Sequence, residues 1–198
     1  MIRRNVSIVE EKRQWIFMDT TTMTNTDEIT IFDEIVNCGI LEDDTVVNFG
    51  AGHQEGKFLE TLLDYNGTLG NELITAVEPN KKRIKSLSKK FKGESVSYFE
   101  GSLQEYIDSE HNDADWTVIT GLFDSGIYEN NQFSFINEVV QNSLEYSRKG
   151  VIFTIRITES ETLRYYDNYL FTEFVNSYDK FTVKKFGDGN YVFCIFKQ

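Results

Sequence analysis

Thr45-Val46-Val47-Asn48-Phe49-Gly50-Ala51-Gly52-His53-Gln54-Glu55-Gly56 joins a short β-prone apolar run to a glycine turn. Gly56 through Asp64 then carries Phe58, Leu59, Leu62 and Leu63 at helical spacing. A strand that passes through glycines into a helix is the first half of a parallel βαβ unit. Outward from this stretch the rhythm repeats. Apolar runs at 73–77, 96–99, 116–120 and 151–155 predict further strands. Between and after them, helices are predicted over Asn80 to Phe91, around Leu103–Ile107, over Phe133–Tyr146 and from about Thr162 to Tyr178. Upstream, Asp27 is expected to cap a helix that runs to about Cys38 and stops at Gly39.

The last stretch has a different pattern. Phe181–Phe186, a turn at Gly187-Asp188-Gly189-Asn190, and Tyr191–Phe196 read as a β-hairpin. The predicted fold is therefore α/β: a doubly wound, mostly parallel seven-stranded sheet with a C-terminal antiparallel hairpin strand. Residues 27–198 are expected to form this Rossmann-like domain, and residues 1–26 an N-terminal extension.

With 198 residues, the chain is long enough for one substantial core. Asp and Glu number 32 against 20 Lys and Arg, a formal charge of −12. Such a field repels phosphate, which argues against general nucleic-acid binding. One local feature runs the other way. Lys81, Lys82, Arg83, Lys85, Lys89, Lys90 and Lys92 place seven cations in a stretch without an acid, leaving −19 for the remainder. The plain reading is a solvated helix face that balances an acidic protein. The alternative is a local contact with RNA or with a phosphate-bearing substrate.

No segment approaches the roughly 20 apolar residues needed to cross a bilayer. Met1-Ile2-Arg3-Arg4-Asn5 leads into polar residues, not a signal-peptide core, so a cytoplasmic protein is expected. Cys38 and Cys194 have no metal-ligand spacing and read as reduced, partly buried thiols. His53 and His111 share no helix face, and no metal site is predicted.

Ligands of open α/β sheets bind at the carboxyl ends of the strands, where the strand order reverses. Gly50 and Gly52 are expected to clear space there for a ligand to approach the backbone, and the next helix offers free N–H groups. Glu78, at the end of the second strand, can accept both hydroxyls of a ribose. Pro79, the one proline in the chain, is expected in the first turn of the following helix, stiffening that carboxylate's setting. The simpler alternative is that the two glycines only make a tight turn.

Five stretches resemble the class I S-adenosylmethionine-dependent methyltransferases: VVNFGAGHQEGKFLETL (46–62), ITAVEPNKKRIKSL (74–87), VSYFEGSLQEY (96–106), ADWTVITGLFD (114–124) and GVIFTIRI (150–157). The terminal hairpin is similar to that family's last two strands. The resemblance spans roughly residues 28–197 and implies S-adenosylmethionine as cofactor. It implies that Asn48, Gly50, Ala51 and Gly52 pass beside the methionine part and that Glu78, followed by Pro79, holds the ribose. Ser102 and Leu103 would edge the adenine, and Thr120 and Gly121 would floor the site near the methyl group. The sequence departs from the family pattern at three places. Asn48 stands where an acid is usual, and Ser102 where an Asp is common. Gln54 occupies the place of the third glycine, as if two residues had been inserted before Gly56.

Methyl transfer needs in-line approach, and a general base only where the nucleophile must lose a proton. His53 and Asp124 are the candidate bases and Tyr128 a candidate substrate contact. The fourth strand runs into Thr120-Gly121-Leu122-Phe123-Asp124-Ser125. That is neither the Asn/Asp-Pro-Pro-aromatic motif of exocyclic-amine DNA methylation nor a cysteine site for cytosine C5 attack. The expected acceptor is thus a small molecule or a protein. Two alternatives remain open: a catalytically inactive methyltransferase-like binding or assembly protein, motivated by Asn48 and Ser102, and an NAD(P)-dependent oxidoreductase, because Gly50, Gly52 and Gly56 also fit a loose dinucleotide loop.

Overall fold

The computed structural model describes residues 30–66, 73–109, 113–123, 132–156, 177–186 and 190–197. The expectations for residues 1–26, Asp27, His111, Asp124, Tyr128, the hairpin turn at 187–189 and most of the helix from about Thr162 to Tyr178 lie outside these residues.

Seven strands form one sheet: β1 (Val46–Phe49), β2 (Ile74–Val77), β3 (Val96–Phe99), β4 (Ala114–Phe123), β5 (Ser147–Arg156), β6 (Phe181–Phe186) and β7 (Asn190–Phe196). Their order is β3-β2-β1-β4-β5-β7-β6. The first five run parallel, and β7 pairs antiparallel with both β5 and β6. This is the predicted doubly wound sheet with its terminal hairpin. The order reverses between β1 and β4, which places the switch point of the sheet at the end of the Val46–Phe49 strand.

Among the described residues the helices are α1 (Ile31–Asn37), α2 (Lys57–Asn66), α3 (Lys81–Lys90), α4 (Leu103–Ile107) and α5 (Gln132–Tyr146). α1 starts at Ile31. Its N-cap is Thr30. The Thr30 hydroxyl accepts from the Asp33 N–H while the Asp33 carboxylate accepts from the Thr30 N–H, a reciprocal pair that ends the helix by itself. α3 is capped by Asn80, whose side chain accepts from the N–H groups of Lys82 and Arg83. Pro79 therefore precedes the cap and is not in the first turn of α3. The inward residues of α3 are Ile84, Leu87 and Phe91, as their spacing predicts.

Strands β4 and β5 are each longer than predicted, because both run beyond their apolar centres. β4 continues through Gly121 to Phe123, and its register against β5 shifts between Ile119 and Phe123. Two hydrophobic cores lie on the two faces of the sheet. One packs α1, α2 and α3 on residues such as Phe58, Leu59, Leu62 and Leu87; the other packs α4 and α5 on Phe49, Phe123, Val140 and Phe153.

The amino ends of the strands, opposite the switch point, are tied by polar side chains. Asp44 is buried, accepts from the Trp116 indole N–H at 2.8 Å and pairs with Lys149. Arg148 forks onto Asp115, with Nε to Oδ1 and Nη2 to Oδ2 both at 3.0 Å. Cys38 and Cys194 are free thiols, and the fold brings them together: the buried Cys194 Sγ donates to the Cys38 carbonyl at 3.8 Å. Contact with the Cys38 thiol, and then burial, push the Cys194 thiol well above its ordinary range.

Candidate functional site

A cleft of about 510 Å³ opens over the carboxyl ends of β1, β2 and β4. Of the residues singled out in the sequence, Gly50, His53, Glu78, Pro79, Ser102, Leu103, Thr120 and Gly121 line it. Asn48 and Ala51, both buried, and the half-buried Gly52 do not.

Glu78 organises this wall. It is 3% exposed. Its Oε2 accepts the Gly52 N–H at 2.9 Å, and its Oε1 accepts the Asn80 N–H at 2.9 Å. One carboxylate therefore locks the glycine turn after β1 to the start of α3. An ionised carboxylate has about four acceptor positions, so two remain for a ligand.

The glycines of the turn have a different immediate cause from the one anticipated. A Cβ on Gly50 would stand 2.1 Å from the Thr120 carbonyl oxygen, and one on Gly52 would stand 2.5 Å from Glu78 Oε2. The protein's own atoms exclude side chains there. After the turn come Gln54 at φ 44°, ψ 43° and Glu55 at φ 56°, ψ 31°, both left-handed, before Gly56 at φ 80°. The two extra residues noticed in the sequence are thus absorbed as a left-handed bend. Lys90 holds it, donating to the Glu55 carbonyl at 2.8 Å and pairing with Glu60 at 2.7 Å.

Asn48 is fully buried. Its amide donates to Thr120 Oγ1 at 3.1 Å and to the Val118 carbonyl at 3.2 Å, bridging β1 to β4. Its Oδ1 has no hydrogen-bond partner among the described residues. Thr120 in turn donates to the Gly50 carbonyl at 3.3 Å. Ser102 is the N-cap of α4: its hydroxyl donates to Glu105 Oε2 at 2.8 Å and accepts from the Glu105 N–H at 3.2 Å. That capping box, which also holds the Glu105 carboxyl below its ordinary range, occupies much of the hydrogen-bonding capacity of the Ser102 side chain. His53 lies against Gly121, where a Cβ would fall 2.3 Å from its Nδ1.

Sequence reasoning missed several lining residues. Phe135, Glu138, Val139 and Asn142 come from α5, and Arg83 from α3. Phe135 and Val139 belong to an i, i+4 apolar stripe that reads as core from the sequence, and one end of that stripe faces the cleft. Arg83 was submerged in its basic run. Leu103 of α4 lines the cleft as well, so part of its wall is apolar.

No protein-family model matches the chain. No curated protein matches it either. Solved structures do. A candidate rRNA methylase from Clostridium thermocellum superposes with a TM-score of 0.60 at 18% identity, over 89% of this chain and 100% of that one. The N-methyltransferase NodS from Bradyrhizobium japonicum, in complex with S-adenosyl-L-homocysteine, gives 0.57 at 10% identity, over 86% and 89%. The magnesium protoporphyrin IX methyltransferase from Synechocystis, with bound S-adenosylmethionine, gives 0.56 at 9% identity, over 85% and 76%. The fold is that of the class I methyltransferases. The antiparallel β7 inserted between β5 and β6 completes that class I methyltransferase sheet, and the cleft sits over its switch point.

Proposed function

We propose that this protein binds S-adenosylmethionine in the cleft and transfers its methyl group to a small-molecule or protein acceptor. The observation that carries the reading is Glu78: a buried carboxylate at the end of β2, held by two backbone N–H groups and facing the cleft with two acceptor positions to spare. That chemistry fits the vicinal hydroxyls of a ribose. Leu103, Phe135 and Val139 fit an adenine, since an apolar slot excludes water from a flat aromatic ring.

The cofactor, when bound, supplies an electrophilic methyl group on a sulfonium. The residues of this chain do the rest. Glu78 orients the ribose, and the turn at Gly50 shapes the wall beside Thr120. His53, packed on Gly121 at the cleft surface, is the group assigned to take the proton that an acceptor's nucleophile loses. Asp124 and Tyr128 keep their proposed roles as alternative base and substrate contact.

Calorimetric titration with S-adenosylmethionine and with its demethylated product tests the reading. Binding of both is expected, with a loss of at least tenfold in Glu78→Gln. Absence of heat and of any thermal shift with either would overturn it, and a thermal shift with NAD(P) instead would favour the oxidoreductase. A second reading, cofactor binding without catalysis, draws on the orphaned Oδ1 of Asn48 and the bend at Gln54 and Glu55. Methyl transfer to any acceptor would end it.

A further inference from the structure

We infer that the outer face of α3 docks a single-stranded nucleic acid through its phosphates. This goes beyond the methyl-transfer reading and does not rest on it.

Cations paired with the protein's own acids are not free to hold a ligand, and among the described residues only two of the seven are so paired: Lys81 with Glu100 at 3.2 Å, and Lys90 with Glu60 at 2.7 Å. Lys82, Arg83, Lys85, Lys89 and Lys92 are exposed and make no ion pair there. Ile84, Leu87 and Phe91 face inward, so Lys82, Lys85 and Lys89 form a row along the opposite, solvent side. The row is about 10 Å long, the span of about two or three successive phosphates on one strand. Arg83 turns from this row to the glycine turn, where its Cδ stands 2.8 Å from the position of a Cβ on Gly52, and its side chain lines the cleft. The cationic row is thus continuous with the mouth of the cleft.

The arrangement also opposes the helix itself. α3 carries Lys81, Lys82 and Arg83 in its first turn and no acid, although the N-terminal end of a helix disfavours cations. Lys81, Lys85 and Lys89 repeat at i, i+4, where like charges repel. The −19 borne by the rest of the chain does not prevent docking. At physiological ionic strength the Debye length is about 8 Å, so a strand lying on α3 senses mainly the charges beneath it. A ligand with one charge on every unit matches such a row.

Fluorescence anisotropy with a labelled 20-mer of uridylate, on the full chain without cofactor, tests the inference. Four cations, Lys82, Arg83, Lys85 and Lys89, predict a slope of about −2.8 in log K against log salt, a fall of about 50-fold between 50 and 200 mM. The triple variant Lys82→Glu, Lys85→Glu, Lys89→Glu is expected to lose binding while its Tm is not lowered. Equal binding of a thymidylate 20-mer would identify the phosphodiester as the recognised group; preference for the uridylate would add its 2′-hydroxyl. No binding at 50 mM salt, a flat salt dependence, or an unaffected triple variant would overturn the inference. So would a polyglutamate that competes as well as the oligonucleotide at equal charge, since the face would then suit an acidic protein. None of these readouts involves the cofactor, so failure here leaves the methyl-transfer reading standing, and the converse.

Discussion

The Gly52 N–H and the Glu78 carboxylate, 26 residues apart in the chain, meet at 2.9 Å, with Oε2 of Glu78 accepting the hydrogen bond. The residue assigned to the ribose is therefore also the clamp that shapes the turn after β1.

Because Glu78 is buried, its removal leaves the N–H groups of Gly52 and Asn80 without acceptors. Glu78→Ala is expected to lose about 2–4 kcal/mol of stability, read by urea denaturation, together with cofactor binding. A variant that loses binding with unchanged stability would show that the two N–H groups find other partners.

Gln54 and Glu55 occupy the left-handed region without being glycine. Each such residue costs on the order of 1 kcal/mol. Gln54→Gly is expected to raise stability by about 0.5–1 kcal/mol in equilibrium unfolding, since Gln54 is exposed and glycine adopts a positive φ without strain.

Gly121 has φ +69°, and the His53 ring fills the space where its Cβ would stand. Gly121→Ala is expected to cost about 1–3 kcal/mol and to displace the imidazole. The His53 ring signals in an NMR spectrum should shift, and cofactor affinity should fall with them.

Asp115 shows a pH dependence with a definite sign. Burial would raise its pKa, but the Arg148 guanidinium and the Thr45 N–H and hydroxyl outweigh burial and hold it below the usual range. A carboxylate depressed in the folded state adds stability above its unfolded pKa, and loses it as pH falls through the folded value. The stability advantage of the natural protein over Arg148→Met is expected to be at most about 1 kcal/mol near pH 7, because Arg148 is largely exposed. It should shrink below about pH 4 as Asp115 takes up its proton. Parallel denaturation curves at pH 7 and pH 3 check this.

The charges at the start of α3 give a further stability test. Lys82→Glu replaces a cation with an acid in the first turn, and is expected to raise stability by about 0.5–1 kcal/mol at low salt. The gain should vanish at 1 M salt, where the Debye length is about 3 Å.

The period of apolar residues determined the elements of this protein. The run 46–49 before Gly50, the inward faces at Ile84, Leu87 and Phe91, and the hairpin of Phe181–Phe186 with Asn190–Phe196 are local patterns, and local patterns are what a sequence displays. The position of Glu78 after β2 was equally legible. Tertiary structure alone decided what these residues touch. It set Thr30 as the cap of α1, since a reciprocal hydrogen-bond pair defines a helix start more strictly than composition does. It committed the Ser102 hydroxyl to Glu105, set Asn48 beneath the cleft and not in it, and drew Phe135, Val139 and Arg83 into its wall. Each of these depends on a distance between residues far apart in the chain or on which end of a stripe reaches the surface. Such relations exist only once the sheet has set the helices over its switch point.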